Sequence, residues 1–225
     1  MIKFKHNLPK TKIINSRDNF LLNYSKSKKV LHVGCVDSGF LNKKIKEKSL
    51  LHYKLNLTSK ELYGVDIDKK GINTLKKKGF KNIYHQNKTN KIKKNYFDII
   101  LLGEIIEHTI NPGQVVTSYL RHLSKNGIVI ITVPNAYNIS NFFKLLAGFE
   151  NIHEDHVSYY SYSTLKTFFK KINLKIETIY FYNSSSKYSL IKKILLSPII
   201  FFHKFFPQFA HGIIITGKKI KRKSS

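Results

Sequence analysis

Lys29-Val30-Leu31-His32-Val33-Gly34-Cys35 decides the reading of this chain. It is a short apolar strand that runs straight into a glycine. Farther along, Leu62-Tyr63-Gly64-Val65-Asp66 is a second apolar strand, and it ends in an acid. A strand, a tight turn and a helix, then a strand with a terminal carboxylate, is how doubly wound α/β sheets hold a nucleoside. The glycine lets backbone approach the ligand closely, and the carboxylate accepts hydrogen bonds from two ribose hydroxyls.

Outward from this pair, strands and helices alternate, the pattern of a parallel sheet covered on both faces. Strands are expected at 29–34, 61–66 and 82–86. Phe97 to Leu102, almost wholly apolar, reads as a central strand buried on both faces. Further strands are expected at 128–133, 174–182 and 211–218. Helices are expected over 40–53, after Asp66 with Ile72 and Leu75 inward and Gly79 as the stop, and over 164–172. Another follows Asn111-Pro112-Gly113, with Val115, Val116, Tyr119, Leu120 and Leu123 at helical spacing and Asn126-Gly127 as its end. Residues 1–28 read as a polar, lysine-rich leading arm or helix, 29–218 as the domain, and 219–225 as a basic tail. Within the domain, 186–209 is an apolar, basic insertion before the last strand.

The 225 residues, 42% apolar, suffice for one α/β domain with a full core. Forty Lys and Arg against 13 Asp and Glu give a net charge of +27. That excess suits nucleic acid or an anionic membrane surface; equally, lysines scattered along the whole chain suit solvated helix faces. The single cysteine excludes an internal disulfide framework and a thiolate-rich metal site. Met1 to Lys10 has no apolar core of signal-peptide length, and Ile194 to Phe202 is half the length of a membrane span, so a cytoplasmic protein is expected.

Five segments in order resemble the class I S-adenosylmethionine-dependent methyltransferases. They are Val30–Cys35; Leu62-Tyr63-Gly64-Val65-Asp66-Ile67-Asp68; Phe97-Asp98-Ile99-Ile100-Leu101-Leu102-Gly103-Glu104-Ile105-Ile106-Glu107-His108; Leu123–Gly127; and Val133-Pro134-Asn135. Glu154-Asp155-His156-Val157-Ser158-Tyr159-Tyr160-Ser161, leading into Leu165, resembles a branch common in bacterial cell-surface saccharide gene sets. The resemblance implies an α/β fold with a Rossmann-like, seven-stranded, mostly parallel sheet, helices on both faces and the last strand antiparallel. It implies S-adenosylmethionine as cofactor, with Gly34 and Cys35 under its methionine part and Gly39 as a later loop glycine. Val36 and Asp37 replace the usual second glycine, which is expected to narrow that loop. Asp66, with Ile67 beside it, matches the ribose-binding acid. Asn87 falls where an aspartate usually meets the adenine amine; an amide carbonyl either accepts that bond or leaves it unmade. Glu104 orients the cofactor's amino group or the acceptor, or is a carboxylate favoured by a helix start.

Methyl transfer from a sulfonium is an in-line displacement, so the protein must align donor and acceptor and, for a hydroxyl, supply a base. His156 is the first candidate, with His153 and Asp155 behind it, because imidazole titrates near neutrality; a structural histidine bonded to backbone is the alternative. His108 reads as structural. No histidines and carboxylates sit at metal-ligand spacing on an expected helix, so no metal is expected.

Acceptor class narrows by absence. Amine-directed nucleic-acid methyltransferases carry Asn or Asp, then Pro-Pro and an aromatic, where this chain has Leu102-Gly103-Glu104-Ile105. Those acting on base carbon need a nucleophilic cysteine, and Cys35 lies in the cofactor loop. These absences point away from nucleic acid and toward an oxygen or nitrogen on a small molecule or glycan precursor; the resemblance to the saccharide-associated branch implies a hydroxyl on a sugar or polysaccharide precursor. A quinone-like or lipid acceptor is the runner-up, with peripheral contact at the inner membrane face through 186–209. A non-catalytic cofactor-binding partner subunit is the third reading, motivated by the altered glycine loop and Asn87. The Tyr162-Ser163-Thr164-Leu165-Lys166 match to short-chain dehydrogenases fails for want of their glycine-rich loop. Oligomeric state is not legible.

Overall fold

The computed structural model describes residues 7–183 and 190–220, with side chains of the last helix described from 197 onward. Its strands are β1 (Ile13–Ile14), β2 (Lys29–Val33), β3 (Glu61–Asp66), β4 (Ile83–His85), β5 (Phe97–Gly103), β6 (Leu123–Pro134), β7 (Leu174–Tyr182) and β8 (Gly212–Lys219). They form one sheet in the order β1-β7-β8-β6-β5-β2-β3-β4. All neighbours are parallel except β8, which runs antiparallel to both β6 and β7. The helices are α1 (Arg17–Ser25), α2 (Leu41–Lys46), α3 (Leu51–Thr58), α4 (Lys69–Lys77), α5 (Pro112–Leu120), α6 (Ile139–Leu146), α7 (Tyr162–Lys171) and α8 (Leu190–Phe205).

The expected Rossmann-like sheet with its reversed last strand is present, with eight strands rather than seven. The extra one, β1, pairs Ile13 and Ile14 with Phe181 and Tyr182, and two residues carry too little pattern to be read from sequence. The leading segment thus builds part of the domain. Ser16 accepts the amide N–H of Asn19 at the start of α1, and Leu21 of that helix is fully buried.

β5 explains the absence of alternation in its sequence. Phe97, Ile100 and Leu102 join Leu31, Val33, Val129 and Ile131 in the core beneath α5 and α7, which contribute Val116, Tyr119, Leu165 and Phe169. Ile99 and Leu101 join Val30, Leu62 and Ile130 on the opposite face, beneath Leu21 of α1 and Leu55 of α3. Both faces are covered, so every inward position on either side must be apolar.

Three local expectations are corrected. The helix expected over 40–53 is two helices, broken by Lys48 at φ 52°; the second, α3, continues to Thr58. The helix after Pro112 stops at Leu120, not at Asn126-Gly127. Leu123 already pairs with Phe97 in the sheet, and a Cβ on Gly127 would come within 2.7 Å of the Phe97 carbonyl oxygen. Close strand approach, not helix termination, is the reason for that glycine. The 186–209 stretch contains α8, with Pro198 inside it; residues 186–189, and the tail beyond Ile220, lie outside the described residues. Among the described residues no helix is long and apolar enough to cross a membrane.

One polar pair lies within the core. His32 of β2 and His52 of α3 are buried with their Nδ1 atoms 3.2 Å apart. Gly64 on the neighbouring strand makes the room, since a Cβ there would meet the His52 ring at 2.9 Å. Burial lowers the pKa of His52 to about 3, and burial with its neighbour takes His32 well below its usual value. Histidines whose folded pKa is depressed add stability that is complete above the unfolded value of about 6.5 and is lost as pH falls. Thermal unfolding should therefore show destabilisation of about 2 kcal/mol from His52 alone between pH 7 and pH 5. A His52→Phe variant should have a flatter profile over that interval, and an unchanged slope would refute the assignment.

Candidate active site

The carboxyl ends of β2, β3, β5 and β6 converge where strand order reverses, between β2 and β5. In open α/β sheets this crevice is the ligand site. Gly34 leaves β2 at φ 76°, and its amide and that of Cys35 both donate to the Val65 carbonyl, at 2.8 and 3.2 Å. A Cβ at position 34 would lie 2.0 Å from Ile105 Cδ1, so both backbone and packing require glycine there. Gly39 also has positive φ, 84°, with open space around it.

Asp66 ends β3 and ties the turn together. Its Oδ2 accepts the Val36 amide at 2.8 Å, and its Oδ1 accepts the Asp68 amide at 2.9 Å. An ionised carboxylate has about four acceptor sites, so each oxygen retains capacity for a ribose hydroxyl. Ile67 beside it is 67% exposed. Asn87 is exposed in a 3-10 turn after β4. Cys35 is buried, and burial with the Asp66 charge raises its thiol well above the usual range, so it lines the turn as an inert side chain.

Val36 does not narrow the ligand side of the turn, contrary to expectation. It is buried with Cys35, Leu41, Leu50, Ile72 and Leu75, directly against α4. The space for it comes from Gly71: a Cβ there would sit 2.1 Å from Val36 Cγ1. A glycine missing from the loop is matched by one present in the helix.

Glu104 follows β5 in left-handed backbone, φ 55°, a conformation that costs a non-glycine residue energy and clusters at functional sites. Its Oε1 receives Arg17 Nη1 at 2.7 Å and the Tyr182 hydroxyl at 2.7 Å. Burial opposes its charge, yet Arg17 and Tyr182 hold its pKa below the usual carboxylate range. Neither partner was expected from sequence. Arg17 lies in the presumed arm, where being one of only three arginines in a lysine-dominated chain was its sole signal. Tyr182 ends β7, distant in sequence but at the same sheet edge.

One turn farther, Glu107 is 1% exposed, and neither carboxylate oxygen meets a hydrogen-bond partner. Burial raises its pKa to about 8. His108 packs edge-on against His156 and His153, with ring centroids 4.5 and 5.4 Å away. The loop after α6 is held here because the Val157 amide donates to the Glu107 carbonyl at 2.9 Å and Ala136 to the Tyr160 carbonyl at 2.8 Å. Burial and the neighbouring histidines lower the pKa of His156 and of His108, keeping both neutral at pH 7. Asp155 is exposed, 3.7 Å from His153 Nδ1. Thus His153, Asp155 and His156 do meet, joined by His108 and Glu107. Tyr162 to Lys166 form the first turns of α7, capped by Ser161.

A methyltransferase-domain family model matches residues 4–179. The chain belongs to that family. Its fold is shared with solved structures of low identity. A SAM-dependent methyltransferase from Archaeoglobus fulgidus is 17% identical, with 90% of this chain and 91% of that one covered at a TM-score of 0.57. The YcgJ protein of Bacillus subtilis is 15% identical, covered 91% and 98% at 0.56. A SAM-dependent methyltransferase from Aquifex aeolicus is 12% identical, covered 91% and 90% at 0.54. No functionally curated protein matches the chain.

In this methyltransferase the contact between Val36 and Gly71 is directly testable. Glycine to alanine in a helix ordinarily stabilises by up to about 1 kcal/mol. Here Gly71→Ala should instead destabilise by about 1–3 kcal/mol, from overpacking. Adding Val36→Ala should recover part of that loss in denaturant melts, and strictly additive effects would count against the contact.

Proposed function

We propose that this methyltransferase transfers the methyl group of S-adenosylmethionine to a hydroxyl oxygen of a sugar or polysaccharide precursor. The observation that carries the reading is the imidazole cluster of His108, His153 and His156, at the same sheet edge as Gly34 and Asp66. A hydroxyl nucleophile must lose its proton, and neutral imidazole takes protons efficiently near neutrality. Of the three, His156 is the first candidate base.

The residues present fit the cofactor. Gly34 offers a turn without a Cβ, Asp66 offers free acceptor capacity for two hydroxyls, and exposed Ile67 offers an apolar surface beside it for a flat base. When bound, S-adenosylmethionine supplies an electrophilic methyl group whose departure leaves a neutral thioether. The chain's own work is to align the acceptor and receive its proton. Glu104, fixed by Arg17 and Tyr182, keeps a negative charge at this edge and attracts the cofactor's ammonium group. The saccharide assignment is supported by the Glu154–Ser161 segment and its resemblance to the saccharide-associated branch.

A lipid-linked or quinone-like acceptor is the second reading. It is favoured by exposed Phe201, Phe205 and Phe206 around Lys204 on and after α8, and by exposed Phe142, Phe143, Leu145 and Leu146 on α6. Such aromatic surface beside cations suits an anionic membrane face.

Calorimetric titration with S-adenosylmethionine and S-adenosylhomocysteine tests the cofactor. Micromolar binding weakened at least tenfold in Asp66→Ala is expected, with folding of the variant checked by thermal melt. No binding to folded wild type would refute the methyltransferase reading and favour a scaffold subunit. With an acceptor in hand, His156→Ala should lower kcat by about a hundredfold or more. Because burial and the neighbouring histidines depress the pKa of His156, the acid limb of the rate profile should lie at a lower pH than an ordinary imidazole would give.

A further inference from the structure

We propose that Glu107, His108 and His156 form a binding site for a divalent transition-metal cation, and that the cation holds the acceptor hydroxyl. This deepens the hydroxyl-methylation reading and rests on it for the acceptor, but the cation site itself does not. One donor atom from each of the three residues lies within 4.8 Å of the other two, and His108, His153 and Asp155 make a second trio at the same spacing. A cation about 2.1 Å from each donor requires donors roughly 3–4 Å apart, a closure within reach of small side-chain adjustments.

Proximity is only half of the argument. Glu107 is a buried carboxyl group with two unpartnered oxygens, and a polar group is not kept dry and bare without cost. Its neighbours on this side are imidazoles, which as neutral rings carry one lone-pair nitrogen each. Neither ring donates its N–H to Glu107 here, and one cation bound by the carboxyl oxygen and the two ring nitrogens would satisfy all three. The scaffold is rigid, since Val157 donates its amide to the Glu107 carbonyl at 2.9 Å and the Tyr160 hydroxyl reaches the Ile106 carbonyl at 3.4 Å. The ligands are therefore pinned from two separate segments before any ion arrives.

Two imidazoles and one carboxylate suit Mn²⁺, Fe²⁺ or Zn²⁺ better than all-oxygen cations. Three protein ligands leave coordination positions for a hydroxyl pair of the acceptor, whose acidity the cation would raise. With the cation bound, His156 is a ligand instead of the base it would be without one, and His153, more exposed and outside the first trio, takes over as the imidazole that receives the proton. The proposed ligands come from the 3-10 turn after β5 and from the loop before α7, a combination that spacing along a single helix does not display.

The full chain, stripped by chelator, is titrated with Mn²⁺ by loss of the free-ion electron paramagnetic resonance signal and with Zn²⁺ by calorimetry. One ion per chain is expected, bound at least tenfold more weakly by Glu107→Gln and by His156→Gln and unaffected by Asp66→Ala. His156 is only half-buried in a loop, so His156→Gln carries the test alone if Glu107→Gln fails to fold. Absence of binding at millimolar ion, or binding that survives both substitutions, overturns the site. Neither ion is a cofactor or acceptor, so failure here leaves cofactor binding standing, and loss of cofactor binding leaves this result standing.

Discussion

The Asp66 carboxylate is the constraint on which the ligand edge depends. It accepts the amides of Val36 and Asp68, so one acid fixes both the turn after β2 and the entry to α4. Hydrogen bonds to an ionised acceptor are roughly twice as strong as neutral ones, and here they hold backbone rather than mobile side chains. From that anchoring follow the direction of Val36 into the core and the need for glycine at 71. A ligand contacting Asp66 meets a carboxylate already positioned, with little orientational entropy left to lose.

Glu104 and Glu107 show how the same side chain serves two ends three residues apart. Glu104 is kept charged by a guanidinium and a phenol drawn from α1 and β7, which ties that helix and one side of the sheet to its centre. Glu107 has no such partner and is dry. Removing Arg17 would leave the first carboxylate unbalanced, whereas burial raises the pKa of the second to about 8, so that its own proton neutralises it.

The central sheet was legible because strands covered on both faces are nearly all apolar, as Phe97 to Leu102 are apart from Asp98, and because glycine and aspartate at strand ends have distinct physical jobs. Gly34 and Asp66 could be picked out for that reason. What escaped lacked local pattern. β1 is too short for periodicity, and α6 displays its apolar residues to solvent rather than to a core. Leu123 fitted a helical repeat that tertiary pairing with Phe97 overrode. Val36 was misjudged because its compensating partner, Gly71, lies in another element. The histidine cluster was half legible: His153, Asp155 and His156 are neighbours in sequence, but Glu107 and His108 reach them only through the sheet edge.

The scarcity of acids in so basic a chain sharpens the reading of the site. Away from the ligand edge, Asp18 is paired with Lys54, Asp98 holds the Lys29 amide, Glu61 meets Tyr96 and Lys93, and Glu177 meets Lys218. These bind one element to another. At the edge stand Asp66, Glu104 and Glu107, joined by Asp155. With 13 acids against 40 basic residues, carboxyl groups gathered at one edge are not a by-product of composition. The Asp66 carboxylate, and the Glu104 carboxylate beside its Arg17 partner, favour a cationic donor over the surrounding anions. The lysines then act over the rest of the surface, where they repel free cations and leave the crevice as the place where positive charge is stabilised.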